Sequence, residues 1–379
     1  MAIVKALPRI FSESAYTRSS KPRRRQKQRR ALSIQTLETR RVLTAILMTP
    51  HEQLLLELIN RARQDPGAEA ARYGIGLNQG ITPTITDTAK QPVAPNQILL
   101  NAARAHSQDM LDNNFFNHTG SDGSSPSARA LALGYPVGVY ENISYGGSTG
   151  AIDQEANVYD RHRRLFISVT GHRENILLGS HQEVGPGVLF GQFTSDRTYN
   201  VGMVTEKFAN PPGNAFLTGV AYTDASDNSV ADNDFYNIGE QIGSGTITAT
   251  NNSSGAVFST TIGPSGGYSL QLAPGTYTVT ATGGDLPANY RVQNVTIGAA
   301  NVKVDFETTT ASVLPGVGPT TPELMLQIAA AAISENGGST TATVSRSGDT
   351  SEALVVSLSS SDVTEATVPA TVTIAAGAS

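Results

Sequence analysis

The spacing of apolar residues changes part-way along this 379-residue chain, and that change limits what it can fold into. Between His51 and Tyr73, residues Leu54, Leu55, Leu58, Ile59 and Ala62 recur three and four apart, the pattern of an amphipathic helix that Pro66 interrupts or restarts. Further helices are expected over Ile98 to Leu111 and about Ala151 to Phe166, with Gly74 to Pro95 as a long surface loop. Gly185 to Phe193 followed by Tyr199 to Phe208 reads as a β-hairpin, so the first unit is an α+β or αβα layered domain. After the linker Asn210-Pro211-Pro212-Gly213-Asn214 the period becomes two. Tyr277, Val279 and Ala281 share one face, and Thr276, Thr278 and Thr280 the other. The clusters Gly263-Pro264-Ser265-Gly266-Gly267 and Ala273-Pro274-Gly275 read as hairpin turns of an all-β sandwich. A second linker, Leu314 to Pro319, leads to another strand-rich stretch from Glu323.

At roughly 100 to 200 residues per domain, this length suits two or three domains. With no Cys, the chain is excluded from disulfide-stapled miniproteins, thiol enzymes and Cys-ligated zinc sites. Charge is divided unevenly: residues 1–45 carry 12 of the 27 basic side chains and two acids, for +10, which leaves 15 basic and 30 acidic residues and −15 for the remainder. Seven of the ten residues from Lys21 to Arg30 are basic, a pattern that suits a nucleic-acid arm or an export segment. We read export, expect no nucleic-acid partner, and find no stretch approaching the ~20 apolar residues of a membrane span.

All six His residues lie between 51 and 181, so histidine chemistry belongs to the first folded domain. That domain contains four polar clusters: Ala105 to Met110, Phe115 to His118, Glu141 to Ile143, and Thr170 to Leu177. Two imidazoles and a carboxylate converging in a cleft suit a divalent metal, or a polar ligand held by paired hydrogen bonds. The plainer alternative is that these His residues cap helices or satisfy buried backbone groups. His-Glu-x-x-His and phosphate-loop signatures are missing. His106, beside Ala102, Ala103 and Met110, is expected to face inward; Arg173 and Glu174 read as a solvated pair, and Asp122 as a turn residue bonding its own backbone.

The order of Leu58-Ile59-Asn60-Arg61-Ala62-Arg63, His106 to Met110, Asn114-Phe115-Phe116-Asn117-His118, Glu141-Asn142-Ile143 and Gly171 to Leu177 resembles the bacterial branch of the CAP superfamily (cysteine-rich secretory proteins, antigen 5, pathogenesis-related proteins) over residues 51–209. The resemblance implies an αβα sandwich with a cleft lined by two His and acidic residues, which motif by motif are His118, Glu141 and His172. The family's second acidic position has no matching motif here, although Glu155, Asp160 and His162 lie in the corresponding helix. Ligand binding is the leading expectation. The alternatives are metal-assisted hydrolysis, with His118 and His172 holding an ion such as zinc and Glu141 as base, and a purely structural adhesin.

Downstream, Asp224, Ser226, Asn228, Val230 and Asp232 stand at positions 1, 3, 5, 7 and 9 of a calcium-loop template. Position 6 is Ser229 and position 12 is Phe235, so Asp234 or Glu240 would supply the remaining carboxylate. Residues 216–308 resemble the B-type sandwich repeats of bacterial surface adhesins, where such a loop binds calcium. Residues 323–379 resemble a Calx-β repeat through Ile333 to Gly338, Thr343 to Arg346 and Leu358 to Asp362. That repeat would end with an unpaired edge at Ser379, so we expect the sequence to be a piece of a longer chain or a truncated gene product. Near the start, Leu37-Glu38-Thr39-Arg40-Arg41-Val42-Leu43 resembles the LEPR-x-LL motif of planctomycete surface proteins, with Thr39 in place of Pro and one added basic residue. The whole is read as an extracellular or cell-surface protein with β-sandwich modules as spacers, meeting an extracellular ligand or surface component.

Overall fold

The computed structural model describes residues 45–82, 85–224, 235–286, 290–308, 324–328, 339–346, 353–360, 367–375 and 378. The basic N-terminal segment with its LEPR-like motif lies outside them, as do Ser226, Asn228, Val230, Asp232 and Asp234 of the calcium template.

The first helix, α1 (Pro50–Gln64), starts where Thr49 and Glu52 cap each other's backbone amides and Pro50 supplies a first residue with no amide to satisfy. It stops at Asp65, whose carboxylate accepts the Ala68 amide at 2.8 Å and so caps α2 (Pro66–Arg72). After the intervening loop come β1 (Ala94–Pro95), α3 (Gln97–Asp112), α4 (Pro126–Ala132), β2 (Tyr140–Ser148), α5 (Gln154–Ile167), α6 (His172–Leu177), β3 (Glu183–Thr194) and β4 (Thr198–Ala209). The expected long loop therefore ends in a strand: β1 pairs in parallel with β3, with Ala94 opposite Glu183.

The sheet runs β1-β3-β4-β2, antiparallel apart from the β1 pairing, and β2 is its edge. Helices cover both faces. Along β4, Val204 and Phe208 join the core made with α1, α5 and α6, while Val201 and Met203 face the other way toward Met110 of α3. The β4 alternation thus sends Glu206 to one layer and Lys207 to the other. On β3, a Cβ at Gly185 would lie 2.2 Å from the Leu99 carbonyl carbon, so glycine there lets α3 rest directly on the strand.

The second module contains β5 (Phe216–Tyr222), β6 (Thr246–Asn251), β7 (Val257–Thr261), β8 (Gly267–Gln271), β9 (Gly275–Thr282), β10 (Tyr290–Ile297), β11 (Val302–Lys303) and β12 (Phe306–Glu307). These make a sheet ordered β10-β9-β6-β7 and a second in which β5 pairs with β8, β11 and β12. Residues from both share one apolar core, with Tyr277, Val279 and Ala281 all inside, as the period-two pattern requires. The two Gly/Pro clusters are not hairpin turns, however. Each carries the chain from one sheet to the other, β7 to β8 and β8 to β9, because the partners of β8 and β9 are β5 and β6. Further on, β13 (Leu324–Ile328) pairs with β14 (Ala342–Arg346) and β15 (Leu354–Ser357) with β16 (Thr371–Ile374), both antiparallel. Of the Calx-β motifs, Ile333 to Gly338 and the end of the last, Ser361 and Asp362, lie outside the described residues.

The Pro-rich linker separates two cores, but they meet. Val220, Tyr222 and Tyr236 of the second module belong to the same buried cluster as Leu54, Leu58 and Phe166.

Candidate functional site

Glu141, near the start of β2, lies opposite Lys207 of β4, and this register places both side chains in the α3/α4 layer. The Glu141 carboxylate is buried and fully engaged. Arg129 Nη2, from α4, donates to Oε2 at 2.9 Å and to Oε1 at 3.1 Å; Lys207 Nζ donates to Oε2; and His118 Nδ1 donates to Oε1 at 2.9 Å. Burial pushes the Glu141 carboxyl up, but His118, Lys207 and Arg129 outweigh it and hold it at about 2. Lys207 is wholly buried, and desolvation holds its ammonium below the usual Lys range even against the pull of Glu141. His106 sits behind this group with Nε2 3.0 Å from the Asn117 carbonyl oxygen and 3.7 Å from Glu141, too far for a hydrogen bond to the carboxylate. Burial drops His106 to about 4, so it is neutral at pH 7. Its inward, structural placement agrees with the sequence expectation.

His118 differs from its neighbours in being 48% exposed at the side chain. Because Nδ1 is fixed on Glu141, the ring presents Nε2 outward, and that nitrogen makes no hydrogen bond among the described residues. His172 begins α6 on the other face of the sheet. Its Nδ1 lies 3.1 Å from Ser168 Oγ, and Asn142, next to Glu141 on β2, donates to its backbone carbonyl at 3.1 Å. Burial, then the nearby His118, holds the His172 imidazole below its ordinary value. The structure thus brings His118 and Glu141 into contact and sets His172 across the β2 edge from them, close enough for the two imidazoles to influence each other.

Two buried arginines hold α6 in place. Arg173 is not the solvated partner of Glu174 that the sequence suggested: it is 1% exposed and donates to the carbonyls of Phe166, Leu77, Gln79 and Ile167. Arg63, also buried, donates to the carbonyls of Gln91, Ile176, Leu178 and His181. Neither guanidinium has a carboxylate partner among the described residues, so each is satisfied by backbone oxygens that would otherwise be buried and unpaired. Gly171 precedes α6 at φ 90°, a left-handed conformation that suits glycine.

His172 also lines a groove of about 860 Å³ between β2 and α5, with Phe116, Tyr145, Asn157 and Arg161. Phe116 and Tyr145 meet edge to face at 4.7 Å. Arg161 donates to the Tyr145 carbonyl and Asn157 to the Gly146 carbonyl at 2.8 Å, so α5 side chains cover the free edge of β2. A Cβ at Gly146 would come within 2.2 Å of the Arg161 guanidinium, so glycine leaves room for it.

Residues 56–204 match the family described as "CAP: Cysteine-rich secretory protein family". This segment is a CAP domain. Among solved structures, the chain is similar to an extracellular protein containing an SCP domain from Bacillus anthracis, with 18% identity, a TM-score of 0.26, and coverage of 42% of this chain and 40% of that one. It is also similar to an outer surface protein from Borrelia burgdorferi, with 12% identity, a TM-score of 0.26, and coverage of 41% of this chain and 91% of that one. The chain therefore spans less than half the length of the first of these. No curated protein matches it.

In the CAP domain, none of the three α5 alternatives for a second acidic position contacts Glu141 among the described residues. His162 is buried against Glu69 at 3.1 Å, Asp160 pairs with Arg161 and Arg163, and Glu155 accepts from the Ile238 amide. Motif reading missed Arg129 and Lys207. The signal for Lys207 was present: the alternation that buries Val201 and Met203 puts Lys207 on the same face, where a buried ammonium needs a carboxylate. No comparable signal marked Arg129 in α4.

The donor set does not fit a divalent ion. Both Glu141 oxygens already accept from cations, and a metal placed there would sit beside two fixed positive charges. Among the described residues no group of three or more His, Asp or Glu side chains is arranged to hold a metal ion.

Proposed function

We propose that the CAP domain is the ligand-binding part of an extracellular or cell-surface protein, and that its cleft takes a polar ligand by hydrogen bonds from His118 and His172. The carrying observation is the pair of anchored imidazoles: Nδ1 of His118 is held by Glu141 and Nδ1 of His172 by Ser168, which leaves each Nε2 for a ligand. The groove beside them supplies an aromatic pair and polar groups of both kinds, a lining that suits a polar chain such as a peptide or oligosaccharide. The family description as secretory and the basic N-terminal segment support an extracellular placing.

In this reading Glu141 orients rather than reacts. A carboxyl held at about 2 and bonded to two cations is a poor proton acceptor at pH 7, which disfavours the hydrolase alternative with Glu141 as base. Ligand-observed NMR of the full chain against short peptides and neutral and acidic oligosaccharides tests the proposal. At least one compound should bind, and both His118→Ala and His172→Ala should weaken it. Binding that neither variant alters would refute the assignment. Calorimetric titration with Zn²⁺ supplies a separate arm, in which tight binding abolished by His118→Ala would favour the metal reading.

For the second module we propose a calcium site at the acidic loop. The Thr223 amide donates to the Glu240 carbonyl at 2.8 Å, which brings together the two ends of the stretch from the buried Asp224 to the buried Glu240. Ser226, Asn228, Val230 and Asp232 would complete the ligand set.

A further inference from the structure

Helix α1 is buried almost all round. Leu54, Leu55, Leu58 and Ile59 are inaccessible, and so is the polar Gln53, which Ser265 of the second module faces. A helix at the surface of a free-standing domain keeps one polar face in water. Here that face is covered by the second module, whose Val220, Tyr222 and Tyr236 enter the CAP core, with Phe235 and Ile238 packed alongside.

The polar contacts across this boundary are also buried and specific. Lys303 Nζ lies 2.9 Å from Glu57 Oε2 and also pairs with Asp305, while Gln53 Nε2 donates to Glu57 Oε1 at 2.6 Å. Burial raises Glu57, with Lys303 offsetting part of that cost; Lys303, shared by two carboxylates, is held above its ordinary value. Asn301 bridges the two parts through its two nitrogens, while its side-chain oxygen stays within the second module. Its amide nitrogen donates to Gln91 Oε1, its Nδ2 to the Pro92 and Gln182 carbonyls, and its Oδ1 accepts from the Phe216 amide. At the other end of the boundary, Arg61 stacks 4.9 Å above the Phe235 ring and Tyr159 of α5 donates to Asn237 at 3.1 Å. A Cβ on Gly263 would lie 2.5 Å from the Ile46 carbonyl oxygen, so the backbones themselves touch.

We propose that the α1/α5 face of the CAP domain is a docking surface for the chain's own second module, and that the two unfold as one cooperative unit instead of as a domain and its spacer. A tethered spacer meets its neighbour through a small, polar contact. This boundary instead continues the CAP core, and breaking it would expose the apolar surface of α1 and sever the Lys303–Glu57 pair. The module also braces α5, the helix that forms one wall of the groove, through Tyr159 and Glu155.

Native-state hydrogen exchange of the full chain, read by mass spectrometry in sub-denaturing urea, tests it with one variant deep in each part. Val279→Ala lies in the module core, and Met203→Ala lies on the CAP sheet face turned away from the module. Each should speed exchange of the slowest amides in α1, β4, β6 and β9 by a common factor of about tenfold or more. Gly263→Ala, placed on the boundary, should do the same. If Val279→Ala accelerates β6 and β9 while α1 and β4 keep their wild-type rates, the two parts are independent and the proposal fails. Should a variant not fold, urea unfolding of the wild-type chain decides. Coincident loss of protection in α1 and β9 supports one unit, and two separated transitions overturn it.

Discussion

Replacing Glu141 by Gln removes the carboxylate that faces Arg129, Lys207 and His118 while keeping its shape. Holding a carboxyl at about 2 against an ordinary 4.5 is worth roughly 3 kcal/mol at neutral pH, at about 1.36 kcal/mol per pH unit. Desolvation of Lys207 works against that gain, so the wild-type network nets less than this. The variant faces a different account, because it leaves a wholly buried ammonium without its counter-charge, a loss of about 3 to 5 kcal/mol. Glu141→Gln should therefore be strongly destabilised at pH 7, and adding Lys207→Met should recover a substantial part of the loss. The pH dependence follows from the direction of the shift. The folded value lies below the unfolded one, so the Glu141 contribution is complete above about pH 4.5 and is lost as pH falls through about 2. Urea unfolding of the wild type, both single variants and the double variant at pH 7, 4 and 2.5 measures all of this in one cycle. A Glu141→Gln variant within about 0.5 kcal/mol of wild type at pH 7, or a cycle with no coupling, would refute the reasoning, since exposed ion pairs are worth about that little.

Three further outcomes are expected. The His106 C2 proton should not titrate in NMR between pH 5 and 8, because burial holds the ring at about 4; a midpoint near 6.5 would mean that it is solvated. Glu206 is fully buried and desolvation raises it to about 7, so its folded state binds the extra proton and stability falls as pH rises from about 4.5 through 7. Glu206→Gln should accordingly stabilise the chain by about 1 to 3 kcal/mol at pH 8 in urea unfolding and change little at pH 4. If the acidic loop binds calcium, free Ca²⁺ at about 100 times its dissociation constant should add about 2.7 kcal/mol, seen as a raised melting temperature that Asp224→Asn/Asp232→Asn abolishes.

Helices α1, α2, α3 and α5 and the long hairpin were legible in the sequence because each is specified locally, whereas the short α4 and α6 were not read as helices. Thr49-Pro50 with Glu52, and Asp65-Pro66, are complete start signals, and the apolar spacing in α1 and α3 needs no distant partner. The same logic failed at Gly263 to Gly267 and Ala273 to Gly275. Gly and Pro report that the chain turns, but not whether the next strand pairs with the last one or crosses to another sheet. Arg173 was misread because residue type alone favours exposure for Arg, whereas here the ends of α5 and the loop at Leu77 offer a buried guanidinium four carbonyl oxygens.

The site follows the same division. Motif order named His118, Glu141 and His172, but the chemistry open to them depends on Arg129 and Lys207, and Lys207 becomes a partner only through the pairing of β2 with β4. That register bears on the two cleft chemistries weighed above. A carboxylate flanked by imidazoles alone would attract a cation, whereas one already bonded to a guanidinium and an ammonium leaves the local balance positive. His118 is then a ring held by its inner nitrogen on Glu141 and exposed on its outer side. Substituting Glu141 should therefore change the cleft through the orientation of His118, and substituting His118 should change it while leaving the Arg129–Glu141–Lys207 network in place.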